Sequence, residues 1–384
     1  MPDKTYLITP GPTPIPPEVS AAMARPLIHH RSPDFKQLLE RTLTGLGRVY
    51  ATQNPVLMFA GSGTSAMESA VANMLSPGDR VLVASAGNFG ERWVKIIDAY
   101  GLEPERVSQE WGERLDPQRI ASRAEGCTAV FVTHSETSTG VVHDVRAIAE
   151  ALRPTGAALV VDAVSSLGGV ELATDAWGID VVVSGSQKAL MTPPGLAFAS
   201  VSERAWQLAA RRGLPRFTLD WQATRDAQAG WNTAFTPPVT LVAGLDAAIG
   251  LLIGEGLEVA WRRNRRLALA AREGAKALGL ELFSPDDDSS AMVTAVLMPA
   301  DIDGQRVYSL LRDRHGVVLA GGHGLLRGRV IRIGHMGFMN EFDIVTALSA
   351  LEMTLSELGH RAPTPGAGAA RAVAVFGQLE PARV

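Results

Sequence analysis

Short runs of consecutive apolar residues alternate with helical patterns through the first part of the chain. The runs lack the polar alternation of a half-exposed strand, so they predict strands buried on both faces. They lie at residues 56–60, 80–84, 129–133, 157–162, 180–184 and 196–201. Between several of them, apolar residues recur at helical spacing, for example Met67, Ala70, Val71 and Met74. This order predicts an α/β fold with a mostly parallel sheet covered by helices.

The pattern changes near Gly256. An Arg-rich helix is predicted for residues 257–278, and short strands and helices follow up to residue 358, which together indicate a smaller α+β domain. The Pro-rich start of the chain predicts an extended arm, and the Pro/Gly/Ala-rich stretch 361–370 predicts a flexible tail. We therefore predict four segments: an N-terminal arm (1–17), a large domain (18–256), a small C-terminal domain (257–360) and a flexible tail (361–384).

The composition excludes several classes of protein. The 384 residues include 36 Lys and Arg against 40 Asp and Glu, a net charge of −4 that gives no electrostatic basis for binding nucleic acid or an anionic membrane. The one cysteine, Cys127, can form neither an intramolecular disulfide nor a cysteine-based zinc cluster. The first residues contain neither a basic nor an apolar leader segment, so we expect a soluble cytoplasmic protein.

A glycine-rich segment, Gly61-Ser62-Gly63-Thr64-Ser65-Ala66, lies between a predicted strand and a predicted helix. Its glycines allow the backbone to approach a ligand, and the free amides and dipole of the helix N-terminus favour a phosphate group. A dinucleotide site would also need an acidic residue at the end of the next strand, but that strand ends Val83-Ala84-Ser85. The segment predicts either a phosphate site without a ribose site or a tight turn that binds no ligand.

Two charged residues follow apolar strands at the edge where parallel sheets bind ligands. Asp162 ends one run, and a buried carboxylate there needs a metal, a ligand N–H or the amides of a helix start as its partner. Lys188 follows the predicted strand at 180–184, and it is one of only five lysines in the chain. Partial desolvation would lower the pKa of its amine and make it a nucleophile or base, whereas a snorkelling lysine is the alternative.

Arg332 lies in the predicted strand Val330-Ile331-Arg332-Ile333. Its guanidinium could hold a carboxylate with two parallel N–H donors, or it could be an ordinary surface arginine. The histidines, including His134, His335 and the pair His29-His30, lack the spacing of metal ligands, so we predict no metal site. A phosphate-binding helix start, a buried acid, a desolvated lysine and a carboxylate-binding arginine are together the parts that pyridoxal phosphate chemistry requires.

These residues lie in motifs that resemble the class V aminotransferases of pyridoxal-phosphate fold type I, in the branch of alanine/serine–glyoxylate and archaeal aspartate aminotransferases. The most specific motif is Ser184-Gly185-Ser186-Gln187-Lys188, together with the upstream segment 162–169. The other matching segments are 10–13, 61–64, 87–92, 136–140, 236–238 and 332–334. The resemblance covers about residues 5–358 and implies a large domain with a mostly parallel, seven-stranded sheet and a smaller C-terminal domain.

The resemblance also implies a role for each matching position. Lys188 would form the Schiff base with pyridoxal 5'-phosphate and move a proton between substrate and cofactor, and Asp162 would hold the pyridine N–H. Arg332 would bind the substrate carboxylate, with Gly11 near the substrate's side chain. The other cofactor contacts would be made to the phosphate by Ser62, Gly63, Thr64, Gln187 and, from the second subunit of a homodimer, Thr236, and around the ring by Phe89, Val164 and Thr137.

The reaction implied by the resemblance moves the amino group of alanine, serine or aspartate to glyoxylate or pyruvate in two half-reactions. Arg31 or Arg327 could recognise a second carboxylate and favour aspartate, although both also fit ordinary surface charge. Two alternatives stay open at this point. A β-eliminating lyase would use the same cofactor site, and a non-catalytic subunit of a larger complex would have the fold without the reaction.

Overall fold

The computed structural model describes residues 4–378 of the chain. Its strands are β1 (Tyr6–Leu7), β2 (Val56–Gly61), β3 (Val81–Ser85), β4 (Glu105–Ser108), β5 (Ala129–Thr133), β6 (Ser135–Glu136), β7 (Val141–Val142), β8 (Ala158–Asp162), β9 (Val181–Gly185), β10 (Gly195–Val201), β11 (Val293–Leu297), β12 (Val317–Val318), β13 (Ala320–Gly321) and β14 (Val330–Gly334). Its α-helices are α1 (Pro17–Met23), α2 (Pro33–Tyr50), α3 (Gly63–Met74), α4 (Gly90–Ala99), α5 (Pro117–Ala124), α6 (Val145–Leu152), α7 (Thr174–Trp177), α8 (Glu203–Ala209), α9 (Trp221–Gln228), α10 (Val239–Glu255), α11 (Leu257–Ala277), α12 (Gly304–His315), α13 (Glu341–Glu357) and α14 (Ala367–Gln378).

A seven-stranded sheet forms the centre of the larger part of the molecule, in the order β2-β10-β9-β8-β5-β3-β4. Strands β9, β8, β5, β3 and β4 pair in parallel, and β10 is antiparallel to both of its neighbours, β9 and β2. All strands except β10 therefore point in one direction, and their carboxyl ends meet at one edge of the sheet. The predicted α/β fold with a mostly parallel sheet is confirmed.

Alternate residues of the central strands fill two separate cores, one on each face of the sheet. In β5, for example, Val130 and Val132 belong to one core, and Ala129 and Phe131 belong to the other. This follows from the two-residue period of a strand, and it explains why the strands are apolar throughout rather than alternating.

The C-terminal part is built around a second sheet of three strands, β11-β14-β13, which packs with α11, α12 and α13. The N-terminal segment joins this part, because Tyr6 and Leu7 of β1 pair in parallel with Val317 and Val318 of β12. Ile8 is fully buried in the same core. The predicted arm therefore brings residues 9–13 from the small sheet to the edge of the large one.

The predicted flexible tail at 361–384 is wrong for half of its length. Residues 367–378 form α14, whose Ala372, Val375 and Phe376 are buried in the C-terminal core. The Ala- and Gly-rich composition suggested an absence of packing, but small side chains allow α14 to approach α11 closely; Gly274 of α11 lies against the backbone of Gly368. Residues 379–384 of the predicted tail lie outside the described residues.

Helices α10 and α11 meet at Gly256, where the chain bends by 86°. Within residues 4–378, no single helix is long and apolar enough to cross a membrane. The bent pair α10 and α11 reaches that length and apolar composition only when the two helices are counted together. Gly256 has a φ of +90°, which favours glycine at this turn. The bend coincides with the predicted boundary between 18–256 and 257–360, although the division into domains stays a prediction.

Candidate active site

The predicted site residues converge at the carboxyl edge of the large sheet. Asp162 is the last residue of β8, and Lys188 lies three residues beyond β9. The glycine-rich segment joins β2 to α3, and Phe89 lies immediately before α4. Arg332, from the middle strand of the small sheet, reaches the same edge, where its guanidinium contacts the residue after β6. The site therefore lies between the two sheets.

The Lys188 amine is partly buried and donates a hydrogen bond to the carbonyl oxygen of Pro10 at 2.7 Å. Gly11 makes this approach possible: it has a φ of +132°, and a Cβ there would overlap the Lys188 side chain. Burial, and then the nearby charge of Arg332, lowers the pKa of Lys188 to about 8. A substantial fraction of this amine is thus neutral near pH 8 and able to act as a nucleophile.

The Asp162 carboxylate is 4% exposed, and its Oδ1 accepts a hydrogen bond from the Val164 N–H at 2.9 Å. Burial raises the pKa of Asp162 to about 6. A carboxylate held in this way is stabilised by a positively charged N–H donor. A protonated pyridine nitrogen is such a donor.

The start of α3 provides donors for an anion. Ser62 precedes the helix in an extended conformation, and the amides of Gly63 and Thr64 lie in its first turn, where helical geometry leaves N–H groups without an intrahelical partner. Nearby, the Arg92 Nη1 donates to the Thr64 Oγ1 at 3.0 Å. A Cβ on Gly63 would lie 2.6 Å from the Val164 side chain, so glycine is required for this close packing.

Buried polar atoms at the site lack partners within the protein. Among the described residues, the Oγ1 of Thr137 and the Oε1 of Gln187 are buried with no hydrogen-bond partner. Phe89 and Val164 are only partly buried. Unpaired buried polar atoms are costly unless a ligand or water satisfies them. The Thr137 hydroxyl, the Lys188 amine, the Asp162 carboxylate and the amides of α3 together fit a cofactor that carries an aldehyde, a pyridine nitrogen and a phosphate. The Gln187 Oε1 is an acceptor, so it needs an N–H or O–H donor.

Arg332 is a buried cation surrounded by neutral acceptors. It is 4% exposed and donates from Nε to the Gly321 carbonyl at 2.9 Å, from Nη1 to the Thr137 carbonyl at 2.8 Å and from Nη2 to the His323 Nε2 at 2.9 Å. Burial lowers the pKa of Arg332 to about 10, so the group stays charged near neutrality. Because a guanidinium has five N–H donors, one on Nη1 and one on Nη2 remain for an anion.

Two functional candidates have no role in the sequence-based assignment: Glu136 and Arg92. His323, which the sequence suggests near the part of the site that selects the substrate's side chain, lies beside Arg332. Glu136 lies in a matching motif but received no role, because its importance depends on contacts with a loop almost fifty residues away. The Arg92 guanidinium lies 4.8 Å from the centre of the Phe89 ring. His323 packs edge-on against that ring, with centroids 6.0 Å apart, and accepts from Arg332, which requires a neutral Nε2.

Some predicted residues lie elsewhere. Thr236 is exposed in the loop before α10 and lines a surface cavity of about 220 Å³. Arg31 is exposed and donates to the carbonyl of Thr233 at 3.1 Å, and Arg327 is exposed beyond the His323 turn. Within residues 4–378, no group of three or more His, Cys, Asp or Glu side chains is arranged to hold a metal ion.

Comparisons with known proteins agree with this geometry. The family described as Aminotransferase class-V matches residues 5–346. The small subunit of a soluble hydrogenase from Synechococcus is 46% identical and covers 98% of this chain and 99% of its own, and the L-aspartate–glyoxylate aminotransferase of Paracoccus denitrificans is 35% identical over 94% and 93%. The crystal structure of ureidoglycine–glyoxylate aminotransferase from Bacillus subtilis is 31% identical, with a TM-score of 0.92 and coverage of 98% and 99%.

Proposed function

The chain belongs to the class-V aminotransferase family and is a pyridoxal-phosphate-dependent transaminase, and from this premise we propose that it moves the amino group of alanine, serine or aspartate to glyoxylate or pyruvate. The names of the Paracoccus and Bacillus relatives both include glyoxylate, which favours glyoxylate as the acceptor. The observation that carries the proposal is that a buried arginine, Arg332, and a partly buried amine, Lys188, both lie at the carboxyl edge of the large sheet.

The proposed roles follow from the contacts. Arg332 binds the substrate carboxylate through its two remaining N–H groups, which fixes the Cα of the substrate near the Lys188 amine. Lys188 would be the covalent attachment point of the cofactor, and its free amine would take the proton from the substrate Cα and return it to the cofactor's aldehyde carbon, on the other side of the amine nitrogen. When bound, pyridoxal phosphate supplies an aldehyde that accepts amines and a ring that withdraws electrons from the Cα.

The remaining residues hold the cofactor in place. Asp162 keeps the ring nitrogen protonated, because its buried carboxylate stabilises an N–H cation. The amides of Gly63 and Thr64, with Ser62 and Gln187, bind the phosphate at the start of α3. The ring would be contacted by Phe89, Val164 and Thr137.

A substrate panel tests the proposal. Purified holoenzyme is incubated with each amino acid donor and with glyoxylate or pyruvate, and the products are identified by mass spectrometry. We expect glycine from glyoxylate with at least one of aspartate, serine and alanine as donor. Primary amines without a carboxylate, including pyridoxamine, serve as controls. Turnover of those amines alone, with none of the three amino acids, would refute the proposed substrate class.

Replacing Arg332 by alanine is expected to raise KM for every amino acid donor by about 30-fold or more, because losing one partner of a buried charge pair costs roughly 2 kcal/mol or more. Affinity for pyridoxal phosphate should change little. Arg332 donates only to the backbone carbonyl of Thr137, so its removal leaves the Thr137 side chain available to the cofactor. Steady-state kinetics and a cofactor titration measure both quantities. Arg153→Ala, at an exposed arginine that precedes β8 and lies away from the carboxyl edge of the sheet, is the control, and an unchanged KM in Arg332→Ala would place the carboxylate elsewhere.

We also propose that the protein is a homodimer in which Thr236 completes the phosphate site of the other subunit. An exposed aromatic pair beside Thr236 supports this. Phe235, in the loop before α10, is 41% exposed, and its ring centre lies 5.5 Å from that of Phe217, which is 78% exposed in the connection between α8 and α9. Exposed aromatic pairs of this kind mark interaction surfaces.

We expect Phe217→Asp to convert the dimer into monomers and to weaken cofactor binding, as measured by sedimentation and by titration with pyridoxal phosphate. Phe342→Asp, at an equally exposed phenylalanine of α13, should leave both properties unchanged. A monomeric wild-type protein, or a Phe217→Asp dimer with normal affinity, would contradict the proposed interface.

A further inference from the structure

Glu136 has every acceptor position of a buried carboxylate occupied by a donor from the active-site loops. It is 0% exposed, and its Oε2 accepts from the amides of Phe89 at 3.0 Å and Gly90 at 2.9 Å. Its Oε1 accepts from the amide of Ser138 at 3.2 Å and from the Ser138 hydroxyl. Because all three amides can only donate, the carboxylate is the acceptor in each contact, as an ionised group requires.

The loop that holds Phe89 is shaped around this carboxylate. Gly87 lies directly against Glu136, and a Cβ on Gly87 would overlap its Cγ and Cδ atoms. The carboxylate also faces the N-terminus of α4, where a negative charge is favoured by the helix dipole. The position of the Phe89 backbone is therefore fixed by where Glu136 places its two oxygens.

The same segment reaches the carboxylate-binding arginine on its other side. The carbonyl of Thr137, the next residue, accepts from the Arg332 Nη1, and the Arg332 Nη2 donates to His323. The ring of His323 then packs against the ring of Phe89, at an interplanar angle of 84°. These contacts form a closed circuit from Phe89 through Glu136, Thr137, Arg332 and His323 back to Phe89.

We propose that Glu136 is a positioning residue for transamination, whose carboxylate fixes Phe89 against the cofactor ring and, through Thr137, holds Arg332 toward the substrate carboxylate. The inference rests on the roles proposed above for Phe89 and Arg332. Its particular consequence is that one displaced carboxylate impairs two separate binding events, that of the cofactor and that of the amino acid.

Two variants displace the carboxylate in different ways. Glu136→Gln keeps the volume but turns one acceptor oxygen into an NH₂ group that faces donors. Gly87→Ala keeps the charge and pushes it away from its donors. The matched control is Asp180→Asn: Asp180 is also buried, at 5% exposure, and accepts from the amide of Leu159 at 2.9 Å, but it lies before β9, at the opposite edge of the sheet.

Three measurements are made on each protein. Fluorescence titration of the apoprotein gives the Kd for pyridoxal phosphate, steady-state kinetics give KM and kcat, and hydrogen exchange in the apoprotein reports on the amides of Phe89 and Gly90. We expect both site variants to raise the cofactor Kd and to lower kcat/KM on the order of 10- to 100-fold, as misplacement of binding groups does. The amides of the loop should exchange faster, and Asp180→Asn should change only the melting temperature.

The outcomes separate this inference from the proposed function. If wild-type protein transaminates none of the amino acids, the proposed substrates are refuted, while the exchange and cofactor measurements still test Glu136. If Glu136→Gln and Gly87→Ala lose thermal stability as Asp180→Asn does but keep the wild-type Kd and KM within twofold, Glu136 is a structural residue only and the inference is overturned. If Glu136→Gln does not fold, Gly87→Ala alone decides by the same criteria.

Discussion

Replacing Lys188 by alanine is expected to lower transamination at least about 10⁴-fold, because the variant loses both the covalent attachment point and the group that moves the Cα proton. The Lys188 amine donates to the Pro10 carbonyl, and Gly11 lies directly against the Lys188 side chain. Burial lowers the pKa of the amine to about 8. Single-turnover measurements with an amino acid donor give the rate, and the visible absorbance of the covalently bound cofactor should be absent.

Borohydride reduction of the wild-type holoenzyme supplies the direct check. We expect peptide mapping to find the reduced cofactor on Lys188, and Lys95→Ala, at an exposed lysine of α4, should retain full activity and full labelling. Label on another lysine, or no label in cofactor-saturated protein, would contradict the role of Lys188 and with it the whole assignment of the site.

Lys188 and Asp162 could be predicted from the sequence because their positions depend on local structure. Each follows an apolar strand, and the carboxyl ends of parallel strands meet at one edge. The desolvation of Lys188 also follows from the apolar segments around it, and the lowered pKa agrees with that argument. Arg332 was ambiguous in the sequence; its burial depends on how the small sheet packs against the large one.

Residues whose importance depends on tertiary contacts were not predictable in this way. Glu136 acts on amides 46 and 47 positions away, and no periodicity in the sequence marks that pairing. His323 lies in a glycine-rich turn typical of a surface loop, yet the fold places it beside Arg332. The same limit applies to α14: an Ala- and Gly-rich composition predicts a flexible tail, but small side chains also permit close packing between helices.

Replacing Asp162 by asparagine is expected to lower kcat on the order of 10²- to 10³-fold, the usual effect of removing one preorganised electrostatic contact. The amide has the same size but no charge, so it cannot stabilise a protonated ring nitrogen, and the ring withdraws electrons from the Cα less effectively. Asp180→Asn, at the opposite edge of the sheet, is the matched control for loss of a buried carboxylate. Near-normal turnover in Asp162→Asn would show that the ring nitrogen need not be protonated here.

The pH dependence of cofactor binding gives this prediction a second readout. Burial raises the pKa of Asp162 to about 6 in the cofactor-free protein, and the ionised form is the one that binds an N–H cation. As the pH falls below 6, wild-type apoprotein must first lose a proton to bind, so its Kd should rise by up to about tenfold per pH unit. Asp162→Asn should lack this dependence. The phosphate of the cofactor titrates equally in both proteins, so the difference between the two pH profiles isolates Asp162, and parallel profiles would contradict its role.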